Sequence, residues 1–115
     1  MRYLLMIAET EGGNELSVGN DPNEILAEYG EVMAKWGERG ILLGGERLQP
    51  VSDATTVRVR KGDVVTTDGP FAETKEQIAG YFLVDCKDLD EAIEVAAQIP
   101  GARYGSIEVR PIWEM

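Results

Sequence analysis

The stretch Thr66–Val84, TTDGPFAETKEQIAGYFLV, runs out of a β-branched segment into a turn and re-emerges as an apolar strand. Val64–Thr67 reads as the incoming strand and Asp68-Gly69-Pro70-Phe71 as the turn, because Gly-Pro is strong punctuation. Pro70 should push Gly69 toward extended geometry. A short polar segment, Ala72–Gln77, follows, and Ile78–Cys86 is then apolar on alternate residues of both parities, Tyr81 and Leu83 against Phe82 and Val84. A strand with one wet face alternates between apolar and polar, so both sides of this one need cover.

Upstream, Thr55–Arg60 pairs with Val64–Thr67 across Lys61-Gly62-Asp63 as a β-hairpin. Ile41–Leu48 is a further strand, in which Gly44-Gly45 predicts a bulge or close approach of another backbone. The helix before it is well signalled. Asp21 caps it, Pro22 takes its first position and Glu24 stands where a capping box places it. Ile25, Tyr29, Val32, Met33 and Trp36 fall on one face, and Gly40 marks an end near Arg39. Gly30 inside that helix suggests close packing, since glycine there costs about 1 kcal/mol against alanine. Tyr3–Ala8 forms the first strand, again apolar on both faces, and residues 9–20 a Gly-rich loop. Downstream, Asp88 and Glu91 open a second helix with Leu89, Ala92, Ile93 and Ala96 on its face, and Pro100 stops it after Ile99. Ser106–Trp113 is the last strand.

The order is β-α-β, a hairpin, then β-α-β. This is an α+β, ferredoxin-like pattern with a hairpin insertion, in one domain spanning 1–115. Two helices cover one face of such a sheet. The strands at 3–8 and 78–86 are apolar on both, so a second subunit stacking sheet on sheet is expected, making a homodimer.

At 115 residues the chain can bury a core without staples. No apolar run approaches the length of a membrane span, and MRYLLMIAETEGG lacks the longer apolar region of a signal peptide. The single cysteine, Cys86, forms no internal disulfide; with the absence of a leader this predicts a cytoplasmic chain without membrane attachment. A net charge of −10, from 21 acidic against 11 basic residues, argues against a nucleic-acid partner. The basic strip Arg58, Arg60, Lys61 reads as an exposed hairpin face.

The string DGPFAETKE, with MRYLLMI, TTVRVR and the closing VRPIWEM, resembles the YCII-related family in its DGPF-domain branch. The resemblance spans most of the chain and implies the dimeric α+β barrel class. It implies little chemistry, since most members have no established reaction. It also raises a non-enzymatic alternative, a regulatory or protein-interaction module, because genes of the family often neighbour extracytoplasmic-function sigma factors. Other branches carry a histidine proposed as catalytic. This chain has none, so that mechanism does not transfer.

Without histidine, and with one thiol, no metal site and no cofactor are expected. Carboxylates and a lysine remain near the signature: Glu46, Asp68, Glu73, Lys75 and Glu76. Crowded carboxylates can stay partly protonated and act as acid or base. The structural alternatives are that Asp68 caps its own turn and that Glu73, Lys75 and Glu76 are a solvated segment. Tyr3 and Tyr81 either point hydroxyls into the space between sheets or pack in the core. Arg103, after the Pro100-Gly101-Ala102 loop, is either a plain surface arginine, the safer reading, or one that grips a carboxylate bidentately. The candidate contacts to a small molecule are therefore Glu46, Asp68, Glu73, Lys75, Tyr3 and Tyr81, in a cleft beside the signature loop.

Overall fold

The computed structural model describes residues 1–16 and 19–115; the part of the 9–20 loop at 17–18 lies outside the described residues. Its elements are β1 (Arg2–Glu9), α1 (Pro22–Glu38), β2 (Leu42–Arg47), β3 (Thr55–Arg60), β4 (Asp63–Asp68), β5 (Gln77–Asp85), α2 (Leu89–Ala97) and β6 (Ser106–Pro111). Short 3-10 turns occupy Val51–Asp53 and Pro100–Arg103. Four strands form an antiparallel sheet in the order β2-β5-β1-β6, and β3-β4 stand apart as a two-stranded hairpin. This α+β arrangement is compatible with the expected ferredoxin-like fold. No helix among the described residues is long and apolar enough to cross a membrane.

The pairing register assigns every strand residue a face. Tyr3, Leu5 and Ile7 of β1 lie opposite Val84, Phe82 and Gly80 of β5, and this side is buried under the helices with Trp36, Ile41, Ala92, Val95 and Ile99. Leu4 and Met6 lie opposite Leu83 and Tyr81, and this second side is only half-buried. A sheet with one helix layer explains why the molecule measures 19 Å along its shortest axis.

The caps form as their chemistry requires. Asp21 accepts a hydrogen bond from the Asn23 N–H at 2.9 Å, one residue short of Glu24. Asp88 accepts from the Glu91 N–H, while Glu91 accepts from the N–H of Lys87, just before the cap. Gly40, at φ 70°, ends α1 in the left-handed conformation that glycine tolerates. At the hairpin tip Lys61 and Gly62 both have positive φ, 53° and 81°, which makes a two-residue type I′ turn.

Four expectations are corrected. Gly69 has φ +99°, so Pro70 follows a residue in a region only glycine adopts freely, not ordinary extended backbone. Met33 is exposed, leaving Trp36 as the buried anchor of α1. In α2 the buried set is Ala92, Val95 and Ala96, with Leu89 and Ile93 turned outward, and the helix ends at Ala97. Finally, a Cβ on Gly30 would meet nothing within 4 Å, so no close packing demands glycine there. Gly30→Ala is therefore expected to stabilise the protein by about 1 kcal/mol, measured by urea denaturation; an unchanged or lowered midpoint would contradict this reading.

The paired glycines of β2 do both things predicted of them. The register shifts between Leu42 and Gly44, bulging the strand at Leu43. A Cβ on Gly45 would fall 2.5 Å from Phe82 Cδ1, so glycine there makes room for the Phe82 ring. That ring packs edge-on to Trp36, centroids 5.2 Å apart, and stacks near Tyr29 at 6.4 Å. Tyr29 is thereby held over the end of the sheet where a cleft opens.

Candidate functional site

The inward parity of β1, Tyr3-Leu5-Ile7, continues one step further and lands on Glu9, a carboxylate at a core-facing position. Above it lie α1 and the turn Pro100–Arg103. At Gly101 a Cβ would sit 3.0 Å from both Glu9 Oε1 and the Tyr29 hydroxyl, which shows how tightly these groups converge. The Gly101 N–H donates to the Tyr29 hydroxyl at 3.3 Å. Arg103 forms a bidentate pair with Glu28 at 2.8 and 3.1 Å, fastening the turn to α1. Arg103 does grip a carboxylate, but one of its own chain.

Glu9 and Tyr104 of this cluster line a cleft of about 740 Å³ at the end of the sheet, together with Thr10, Arg47, Gln49 and Gln77. The Thr10 hydroxyl is buried and has no hydrogen-bond partner among the described residues. A native protein rarely leaves a buried hydroxyl unmatched, because desolvating it costs free energy that a partner would restore. Glu11 and Asn14 hold the rim. Glu11 accepts from the Val51 N–H at 2.8 Å, and Asn14 donates to the Tyr104 carbonyl at 2.8 Å.

The electrostatics follow from burial. Desolvation raises the Glu9 carboxyl above its ordinary range, and the positive charge of Arg47 opposes that rise. Burial likewise raises the hydroxyls of Tyr29 and Tyr104, and Glu9 adds to both shifts. The site thus sets one carboxyl whose pKa burial raises beside two phenols whose pKa burial raises. That is the equipment for donating hydrogen bonds to an oxygen and for exchanging one proton with it.

The residues singled out from sequence are placed elsewhere. Glu46 and Tyr81 are cross-strand neighbours on the half-open face of the sheet. Tyr3 is on the opposite, buried face, its hydroxyl donating to Met1 Sδ at 3.4 Å. Asp68 ends β4 at the hairpin root and is exposed; among the described residues its carboxylate takes no hydrogen bond. The turn is closed instead by the Gly69 N–H donating to the Ala54 carbonyl, and by Thr56 Oγ1 donating to the Gly69 carbonyl, both at 2.8 Å. Glu73 and Lys75 are exposed in the loop that follows. Glu76 accepts from Ser106 Oγ at 2.8 Å, pinning that loop to β6. Of the signature stretch, Gln77, Ile78 and Ala79 reach the cleft. Cys86 is buried, and that burial raises its thiol pKa, so it is no ready nucleophile.

Comparison with known proteins gives two findings. The whole chain, residues 1–115, matches the YCII-related domain. It is also similar to an uncharacterized protein of Rhizobium meliloti (strain 1021), with 36% identity over 114 residues, covering 97% of this chain and 92% of the relative.

Proposed function

The chain belongs to the YCII-related domain family, and from the geometry of its cleft we propose that it binds a small polar molecule there. In this reading Glu9 is the group that exchanges a proton with the ligand. The observation that carries it is a cleft lined by Thr10, whose buried hydroxyl is unmatched among the described residues, and by the half-buried Glu9. A ligand oxygen would accept from Thr10, while the Glu9 carboxyl, held under Tyr29 and Tyr104, would give or take the proton. Arg47 at the rim would favour a ligand with negative charge near its mouth. The protein would work as a homodimer, since among the described residues the face bearing Leu4, Met6, Tyr81 and Leu83 has no second layer over it. Glu46 and Tyr81, on that face, would then lie at the subunit contact.

The test uses Glu9→Gln. A carboxyl whose pKa is raised by folding holds its proton in the folded state at a pH where the unfolded chain has lost it. Stability is then greatest below the unfolded value and falls as pH rises through the folded one. Glutamine has no charge to desolvate. The melting temperature of Glu9→Gln should therefore gain on the parent as pH rises from about 4 to 8. In a thermal-shift screen of small carboxylic acids, hydroxy acids and lactones, compounds that stabilise the parent should lose their effect on Glu9→Gln. A pH-independent difference, or hits that ignore the substitution, would remove Glu9 from the site. The regulatory alternative, a sigma-factor-linked interaction module, draws on the exposed apolar surfaces instead. It predicts a protein partner and an empty screen.

A further inference from the structure

The four-stranded sheet has two edges, β2 and β6, and they are built differently. An edge strand shows a row of unpaired N–H and C=O groups on which another strand can add, and proteins blunt such edges with bulges, lysines or prolines. β2 is blunted, because it bulges at Leu43. β6 is not. It runs opposite β1 from Ser106 to Pro111 without a register shift, carries no lysine, and has its one proline at the last position. Among the described residues no strand pairs with its outer side.

The register says which groups that outer side offers. The Ile112 N–H donates to the Arg2 carbonyl at 2.9 Å. Residues of an antiparallel ladder alternate between bonding one neighbour and facing away from it. Arg110 and Glu108, opposite Leu4 and Met6, therefore bond β1 in the same way. Ile107 and Val109 turn N–H and C=O outward, and Pro111 turns out its C=O. Their side chains lie on the helix-covered face, where Ile107 and Val109 line a shallow groove against Ile93 and Ala97 of α2. Glu108 and Arg110 stand on the opposite face, exposed and paired with each other.

The order Glu108-Val109-Arg110 is self-complementary. When two β6 strands run antiparallel about a two-fold axis at Val109, each Val109 exchanges hydrogen bonds with its own copy. Each Ile107 N–H then donates to a Pro111 carbonyl of the other strand. Glu108 falls opposite the copy's Arg110, with Cβ atoms about 4.5–5.5 Å apart, where opposite charges attract and like charges repel. Sliding the strands by two residues sets Glu108 opposite Glu108, or Arg110 opposite Arg110. One register is thus favoured over its neighbours. Above the seam, Ile93, 52% exposed, comes to face the α2 of the copy.

We infer that β6 is a seam with a second copy of this chain, joining two four-stranded sheets into one continuous sheet. The contact is isologous, so it closes after two chains. It uses the sheet edge, whereas the homodimer proposed above uses the open face. The two stand or fall separately, and together they make a tetramer.

Sedimentation of purified chains over a concentration series tests it. Glu108→Arg alone sets arginine opposite arginine, and Arg110→Glu alone sets glutamate opposite glutamate. Each should raise the dissociation constant of one association step at least about tenfold. An equimolar mixture of the two variants sets the arginines of one against the glutamates of the other and should restore the parent's association. Mixing cannot repair an ion pair lost within a single strand, so recovery belongs to the seam. Val109→Pro removes the central pair of hydrogen bonds and spares the pairing with β1, and it should abolish the step. A parent that stays monomeric overturns the seam. So does a mixture as weak as its components. Association that ignores both reversals also overturns the seam, and leaves the open-face homodimer standing. Should Val109→Pro fail to fold, the two reversals and their mixture decide alone.

Discussion

Trp36→Ala is expected to lower the stability of the protein by about 4 kcal/mol, the scale of emptying a large buried aromatic site. Trp36 is fully buried, lies edge-on to Phe82, and its Nε1 donates to Gln98 Oε1 at 3.0 Å. It therefore joins α1 to the sheet and, through Gln98, to the end of α2. The alanine variant loses the ring and leaves Gln98 without its donor, which adds about 1 kcal/mol to the cavity term. Trp36→Phe keeps part of the volume and should cost roughly half as much. The second tryptophan, Trp113, is 87% exposed, so the blue-shifted part of the native emission belongs to Trp36 and should vanish in both variants. Chemical denaturation followed by circular dichroism measures the loss. A cost below about 2 kcal/mol would mean that the helices are held mainly by other contacts, with Phe82 repacking into the gap.

The order of elements was readable because each boundary is marked by backbone chemistry that does not depend on tertiary context. Asp21-Pro22, Gly40, Asp88 and Lys61-Gly62 each do locally what their side chains or lack of them permit. Faces were harder. In α2 the helical period alone allows either Leu89-Ile93 or Val95 to point inward, and only the position of the sheet chooses Val95. Gly30 was misread for a related reason: a glycine in a helix marks either crowding or mere tolerance, and the sequence carries the same letter for both. In β2 the two glycines were informative because the neighbouring strand register exposed their role.

The site was less legible than the fold, and Glu9 shows why. Its signal was present, since alternation from Tyr3 through Leu5 and Ile7 puts it inward, but ending the strand at Ala8 assigned it to a polar loop. Tyr29 read as an ordinary member of a helix face, and Tyr104 and Arg47 carried no motif. The signature stretch drew attention to Asp68, Glu73 and Lys75 because it is distinctive as a string. In the folded chain it shapes the hairpin root and pins the loop through Glu76. Only its last residues reach the cleft. The groups that meet there come from β1, β2 and the turn before β6, with Tyr29 of α1 packed behind them at Gly101, and no local spacing links them.

Gly105→Ala should show how far that convergence depends on one turn. Adding a methyl group at Gly30 or at Gly105 is the same chemical change with opposite expected signs. At Gly30 the new carbon meets open space. At Gly105 it would collide with the Ala8 carbonyl and crowd the Gly101 carbonyl, 3.2 Å away. Both contacts are backbone atoms, so no side chain can swing aside. The Gly105 N–H also donates to the Gly101 carbonyl at 2.8 Å, and Ala8 pairs with Ser106 at the start of β6. Relief of the clash must push the turn off β1, carrying Tyr104 away from Glu9 and Tyr29. We expect a loss of about 3 kcal/mol, the upper range for overpacking a tight site. As the turn lifts, water reaches Glu9, so the stabilisation of Glu9→Gln at high pH should shrink in the Gly105→Ala background. Urea denaturation of the single and double variants at pH 4 and pH 8 measures both effects. If Gly105→Ala costs less than 1 kcal/mol and leaves the Glu9 pH dependence intact, the turn before β6 is not what holds the cluster together.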